Sequence, residues 1–485
     1  MTKPSYELFD DMQKGRISRR DFLRRSAAAG AATPLIVGYL DRGSAAAAPA
    51  TRLLLTPSLS QAGPLQPPAE GADTSDALVF RGWDYNVPIV QDNVAKFNEQ
   101  YKENVDYQTV AGDYISIMEN FHISNQKLDL AYANPATVYR WSVPGWIVDF
   151  ERFWSVDDAR GEMYDGVRAS LSVAGKLYGL PYFVSIRGTM MANNVLLEKA
   201  GITPDKYPKT WAELYDQARQ MKKDKVAEFP LLPHWFTGGG AWYGISWAYL
   251  FECLNTGAKL FDDANKPVFD DASLKILANW RKLVEEKIIP EQVITMVQQE
   301  FIDSFAGGNY AYSPQQTYDL KTFNDPQTSK IPGKVAIVPV VDQPWGLIDE
   351  GIYTVSNRNQ SEDRLQRDYR LGGFFGYRDK AGDLFVAKRW AIESALNSGY
   401  KAVLDDPEVV AAYNKWLPDP AMRETIRNVV DKGQFPKVWQ TFWWEEFNAQ
   451  MITELPKAVL GQTPVEEVHA NLKKLATELA ERYSA

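Results

Sequence analysis

The sequence predicts an α/β protein of two lobes. Three observations carry that reading: a length and composition sufficient for two cores, a strand-helix-strand pattern with short links, and an extended aromatic stretch between two runs of that pattern. The chain has 485 residues, 45% of them hydrophobic and 24% charged, which is globular composition with room for more than one domain-sized core. Ordered structure is expected from residue 77, because Ala77, Leu78, Val79 and Phe80 form an apolar run ended by Gly82, the pattern of a buried strand. Ile89, Val90, Val94, Phe97 and Tyr101 then recur at helical spacing, Val105, Tyr107 and Thr109 alternate, Tyr114 to Ser124 forms a second helical segment, and Leu128 to Ala133 a third strand. Links this short imply a parallel sheet with right-handed crossovers, and such sheets bind ligands beyond the carboxyl ends of their strands. Those ends carry Trp83, Asp84 and Tyr85, and Tyr132, Ala133 and Asn134.

The stretch from Gly175 to Asn194 reads as the crossover between the two halves. After a Gly-Lys turn signal it runs through Leu177, Tyr178, Leu180, Tyr182, Phe183 and Val184, residue types that favour extended backbone. Pro181 excludes a helix there and biases Leu180 toward the β region. A second α/β set follows. Val195 to Ala200 is a helix stopped by Gly201, and Thr210, Trp211, Ala212 and Glu213 have the capping-box pattern that opens another. The loop from Pro233 to Gly244 joins four aromatic residues to a triple glycine, and Asp271 to Glu286 is an amphipathic helix. Glu300 to Ser313 reads helix, turn, strand, with Gln315 and Gln316 at the far end. Val335 to Val341 and Ile352 to Ser356 are strands, and helices are expected at Asp383 to Leu396, Pro407 to Trp416 and Val465 to Arg482. Ser361 to Gly382 is polar and rich in arginine and glycine, which reads as a surface loop.

The first fifty residues contain a basic run, Arg16 to Arg25, then a short uncharged Ala/Gly-rich segment and small residues. That is the organisation of an export signal, and Ser18, Arg19, Arg20, Asp21, Phe22 and Leu23 match the twin-arginine pattern. No cysteine follows, so a lipid anchor is excluded and a soluble periplasmic protein is expected. Residues 51–76, with four prolines and few charges, read as a flexible leader. Residues 51–485 carry 45 Lys/Arg against 57 Asp/Glu, a balance that argues against nucleic acid or an anionic membrane as partner. The single cysteine, Cys253, excludes an intramolecular disulfide and a multi-cysteine metal site, and reads as a small buried apolar residue.

Little in the sequence points to catalysis. The three histidines, His122, His234 and His469, lack metal-ligand spacing, and there is no G-x-S-x-G elbow, P-loop or dinucleotide fingerprint. No metal and no cofactor is expected. Asp84 with Asp349 or Glu350 offers the paired carboxylates of a glycosidase, a secreted hydrolase being the alternative from another class. The chain is instead rich in tryptophan, with fifteen gathered in clumps. Flat rings beside amide and hydroxyl groups suit a sugar, whose C–H faces stack while its hydroxyls need partners. The same rings can cage a quaternary amine. Trp83, Trp235, Trp242 and Trp443 stand out because they lie beside glycine-rich or strand-end positions.

The order of these parts resembles the extracellular solute-binding proteins of ABC importers, in particular the carbohydrate-binding group that includes maltose-binding protein. The residues that carry the resemblance are Gly175 to Tyr182 with Ser185 and Asn193, Leu197 to Ile202, Pro208 to Leu214, Phe305 to Gly308, Val335 to Pro339, Gly351 to Ser356 and Val459 to Glu467. The resemblance spans roughly residues 77 to 485. It implies a type II periplasmic-binding-protein fold with each lobe a mixed sheet flanked by helices, a ligand cleft between hinged lobes and no catalysis. It also implies delivery of a sugar or oligosaccharide to membrane permease subunits by what would be a monomer. Lobe one would comprise 77–184 and 352–415, and lobe two 185–351 and 416–485. Carried over by position, the ligand shell would hold Trp83, Asp84, Tyr85, Tyr132, Asn134, Trp235, Trp242, Gln315, Gln316, Gly351 with Tyr353, and Trp443 or Trp444. The chain departs from the family pattern at Arg187-Gly188 and in the longer segment 361–382. Arg81 and Arg187 are therefore candidate contacts for an anionic group on the ligand.

Overall fold

The computed structural model describes residues 64–68, 75–241, 243–338, 346–358 and 360–484. Among the described residues there are ten strands: β1 (Leu78–Trp83), β2 (Val105–Val110), β3 (Leu130–Ala133), β4 (Ser172–Val173), β5 (Lys176–Leu177), β6 (Leu180–Arg187), β7 (Thr189–Asn193), β8 (Tyr312–Gln315), β9 (Val335–Ile337) and β10 (Leu347–Val355). The first sheet runs β2-β1-β3-β10-β6 and the second β8-β7-β9, while β4 and β5 form a small hairpin. β1 is parallel to β2 and β3, as the short strand-helix links require, and β10 enters antiparallel between β3 and β6. Leu78, Phe80 and Leu130 are fully buried, and the helix Val87–Tyr101 covers this sheet with its Val90, Val94 and Phe97 stripe. These are the apolar positions that the sequence marks as core.

The two sheets are joined where the sequence places the crossover. β6 and β7 are separated by Gly188 alone, at φ +89, and a Cβ there would lie 3.0 Å from the Phe251 ring. Such a backbone conformation beside so close a ring suits glycine. The expected divisions at 184/185 and 351/352 fall inside β6 and β10, which remain members of the first sheet to Arg187 and from Leu347. A chain of buried hydrogen bonds spans the joint. The Ser185 and Thr317 hydroxyls are 3.0 Å apart, the Asn397 amide donates to Thr317, and the Tyr413 hydroxyl donates to Asn397.

Two elements differ from expectation. The segment 361–382 is mostly the helix Glu362–Gly376, with Ser361 accepting from the Arg364 amide as its cap. Its arginines point inward, onto buried acids. Arg364 pairs with Asp129 and Asp76, Arg367 holds Glu103 at 2.7 Å, and Arg370 donates to the Pro68 carbonyl. Gly373 lets Phe153 approach to where a Cβ would be 2.8 Å away. In the described part of the 51–76 segment Leu65 and Pro68 are buried, the Leu65 amide donating to the Arg152 carbonyl, while Pro64, Gln66, Pro67, Ser75 and Asp76 are exposed. The rest of that segment and residues 1–50, with the expected export signal, lie outside the described residues.

The second lobe contains a helix that the sequence did not announce, Ile245–Thr256. Every residue from Ile245 to Cys253 is buried, so no polar face interrupts the apolar run to give a helical period. It packs, with Asp271–Glu285, against the helix Trp444–Val459. Cys253 is buried here, as expected. Among the described residues no helix is long and apolar enough to cross a membrane.

Candidate functional site

The joint gathers side chains from both sheets. Arg187, Ser185 and Phe183 on β6 stand opposite Leu347, Asp349 and Gly351 on β10, and opposed residues of a ladder share a face. An irregularity in that ladder between Gly351 and Ile352 brings two consecutive rings to Gly351, where a Cβ would lie 2.5 Å from Tyr182 and 2.6 Å from Phe183. From the second lobe, the end of β8 delivers Gln316, Tyr318 and Asp319, and the loop after Pro233 delivers His234 and Tyr243.

At the centre, Arg187 and Asp349 form a buried ion pair at 2.7 Å. The guanidinium lies 4.0 Å from the Tyr243 ring centroid and 5.4 Å from that of Trp247, the geometry of cation–π contact. With its amide oriented to satisfy both ends, Gln316 accepts from Arg187 and donates to Asp349, each at 3.2 Å. Burial is the largest influence on Arg187 and works against its charge, but Asp349 together with Tyr243, Tyr318 and Asp319 outweighs it, so the guanidinium pKa is raised. Beside it, burial and then the Arg187 charge push His234 well below its usual value, which keeps that ring neutral. Arg187 Nε has no hydrogen-bond partner among the described residues.

Asp319 accepts from the Gln316 amide at 3.1 Å, and burial pushes its pKa up to about 7. A carboxyl whose folded-state pKa is raised binds its proton more tightly folded than unfolded. Its cost to stability is therefore absent below the unfolded value of about 4 and fully present above about 7. Asp319→Asn, which keeps the acceptor, should gain melting temperature relative to wild type as pH rises from 5 to 8. A difference that does not vary with pH across that range would refute the assignment.

The first lobe supplies an aromatic wall. Trp83, at the end of β1, is half-buried, with its ring centroid 4.6 Å from that of Tyr132 and 5.9 Å from that of Tyr182. Asp84 and Tyr85 are exposed, and Tyr85 stacks on Trp390 at 6.2 Å. Burial raises the Tyr85 phenol pKa, and the Asp319 carboxylate facing it from the second lobe adds to the shift. Tyr132 and Tyr353 are fully buried behind this wall, stacked and tilted against Tyr182 at 4.7 Å and 5.3 Å. They support the surface and do not form it. Asn134 is occupied as the cap of the helix Pro135–Ser142, in a reciprocal box with Thr137.

Several expected site residues lie elsewhere. Trp235 is buried in the second-lobe core with its ring 4.6 Å from that of Trp280. Trp443 packs on Phe261 and Phe447, and Trp444 on Trp439 and Phe447. All three rings are consumed by neighbouring apolar surface. Arg81 donates to Gln108 and to the Lys127 carbonyl and lies over Phe121, so its donors serve the first lobe. Gln315 is buried and donates to Ser313. Trp242 lies outside the described residues. Of the two acids offered as partners for Asp84, Asp349 meets Arg187, and Glu350, facing the opposite way as the next residue of the strand, accepts from Ser170. Sequence reasoning did not single out Tyr243, Tyr318, Asp319, His234 and Phe183 as site residues. Position signalled some of them, since Tyr243 belongs to the aromatic loop and Tyr318 and Asp319 directly follow the glutamine pair. Among the described residues no cluster of His, Cys, Asp and Glu fits a metal ion.

Fold and site together define a two-lobed α/β protein whose aromatic and charge-paired surface lies at the joint between lobes. Residues 84–360 match the family described as bacterial extracellular solute-binding protein, and the chain belongs to that family. Among solved structures, maltose-bound MalE3 of T. maritima superposes with a TM-score of 0.67 at 19% identity, covering 83% of this chain and 99% of that one. A solute-binding protein of an ABC transporter from Agrobacterium vitis S4, with bound D-mannitol, gives 0.64 at 16% identity, with 84% and 98% covered. The GacH receptor of Streptomyces glaucescens gives 0.66 at 19%, with 84% and 99% covered. These likenesses establish the two-lobed fold. The mannitol-binding protein of Pseudomonas aeruginosa is 26% identical over 146 residues, which is 30% of this chain and 30% of that relative's length.

Proposed function

We propose that the protein is the extracytoplasmic receptor of an ABC importer, capturing a sugar or sugar alcohol between its lobes and presenting the closed form to a membrane permease. The observation that carries this reading is the Arg187–Asp349 pair at the joint, bordered by Tyr243, Gln316 and Tyr318, with Tyr85 of the first lobe interacting in turn with Tyr318 and Asp319. Rings supply stacking area, and the paired charges and amides supply oriented donors and acceptors for hydroxyls. Solved relatives with this fold hold maltose and D-mannitol, and the partial sequence relative is named for mannitol.

On this reading the division into lobes follows the expected one, 77–184 with 352–415 and 185–351 with 416–485, shifted at the strand level to the ends of β6 and β10. The twin-arginine leader exports the protein to the periplasm, where it acts as a monomer without cofactor. Closure is a hinge motion, and the ligand shifts its equilibrium by binding the closed state better. Ligand shells assembled from Trp83, Asp84, Tyr85, Gln316 and Arg187 belong to this proposal, with Trp242 as an expected member.

Thermal-shift screening of the purified protein against alditols, mono- and oligosaccharides and polyamines tests it. Saturable stabilisation by a polyhydroxy compound is the expected result. Stabilisation by amines alone rejects the sugar assignment, and release of product from an oligosaccharide at enzymatic turnover rejects the receptor.

A further inference from the structure

A lone arginine in a cleft recruits anions, but Arg187 is not alone. Its charge is cancelled at 2.7 Å by Asp349, and both groups are buried at the joint. Gln316 bridges them, so neither charge relaxes into solvent. His234 beside the pair is neutral, and Asp319, the other carboxyl close by, carries either no charge or a negative one. The local balance is therefore zero or negative, whatever the sign of Arg187 by itself.

The pair also presents a pattern. A guanidinium donor and a carboxylate acceptor held side by side match two neighbouring hydroxyls, one accepting from the first and the other donating to the second. Arg187 Nε, buried and with no acceptor among the described residues, is the unsatisfied donor. Tyr243 covers the guanidinium face at 4.0 Å, which leaves the edge for hydrogen bonds.

We infer that the Arg187–Asp349 pair is the specificity determinant of the site, reading a vicinal diol of an uncharged polyhydroxy ligand and rejecting the carboxylated analogue. This inference rests on the function proposed above. An acid at the same place would set its carboxylate against Asp349 without an uncompensated cation to receive it, and juxtaposed like charges in a desolvated site are strongly unfavourable.

The test is isothermal titration at pH 6 with matched ligands: a hexitol and its aldonate, and a disaccharide alditol with its aldonate. The neutral member of at least one pair should bind, with the acid on the order of 100-fold weaker. Asp349→Asn, which leaves the arginine charge uncompensated, should narrow or reverse that preference. If that variant does not fold, the wild-type ratios alone decide. An aldonate that binds wild type as tightly as its neutral partner overturns this inference while leaving the receptor reading intact. Binding confined to compounds without hydroxyl pairs overturns both.

Discussion

Arg367→Met should lower stability by about 3–5 kcal/mol, because it removes the partner of an acid that remains buried. Glu103 is held from two sides of the Arg367 guanidinium, with Nη2 at 2.7 Å and Nε at 3.1 Å, and Arg370 is 3.7 Å away. The carboxylate side chain has no exposure, and that of Arg367 little. Chemical denaturation of wild type, Arg367→Met and the double variant Arg367→Met with Glu103→Gln separates the mechanisms. The double variant should recover much of the loss, since the cost is an unpaired charge more than a lost contact. A single variant within about 1 kcal/mol of wild type would show that the pair does not hold the first lobe together.

Gly346→Ala should be comparably damaging, by a different route. Gly346 has φ +62, and a Cβ there would lie 1.8 Å from the Arg187 carbonyl oxygen. The obstruction is backbone, which no rotamer change relieves. Its neighbours are committed as well: the Gly346 carbonyl accepts from Gln434, and Leu347 pairs with Arg187 in the ladder. The left-handed conformation adds roughly 1–2 kcal/mol and the forced displacement about 1–3 kcal/mol. Because β10 must then move away from the end of β6, Asp349 should shift relative to Arg187, and ligand affinity should fall together with melting temperature. Wild-type affinity and stability in this variant would mean that the strand yields easily, contrary to the observed packing.

Local chemistry made much of the fold legible. Thr210 caps the helix Trp211–Lys223 by accepting from the Glu213 amide, as the capping-box pattern foretells, while Glu213 reaches back one residue further than that pattern, to the Lys209 amide. The crossover is legible for a similar reason, since its extended aromatic run with Pro181 is a short-range signal. Elements whose character depends on distant partners were misread. The polarity of Glu362–Gly376 suggested a solvated loop, yet its arginines are inward because Glu103 and Asp129, far earlier in the chain, neutralise them. The tryptophans failed individually for the same reason: whether a ring lines a cleft or fills a core is decided by Trp280 behind Trp235 or Phe447 behind Trp443. Arg187 stands out in the sequence as a departure, and the Asp349 carboxylate against it reverses what that charge means.

The inward arginines of Glu362–Gly376 also bear on the order in which the chain acquires structure. The Arg364 guanidinium grips Asp76 across 288 positions of sequence, and β10 inserts between β3 and β6. The first lobe, although it begins first, lacks an inner strand and its clamp until the stretch that carries the second sheet has been threaded out. Closing a loop of that length costs about 5 kcal/mol of chain entropy, and contacts so remote slow the search. The second lobe has most of its strands, β7, β8 and β9, within one continuous stretch, so the half that comes later in sequence is the half positioned to fold early.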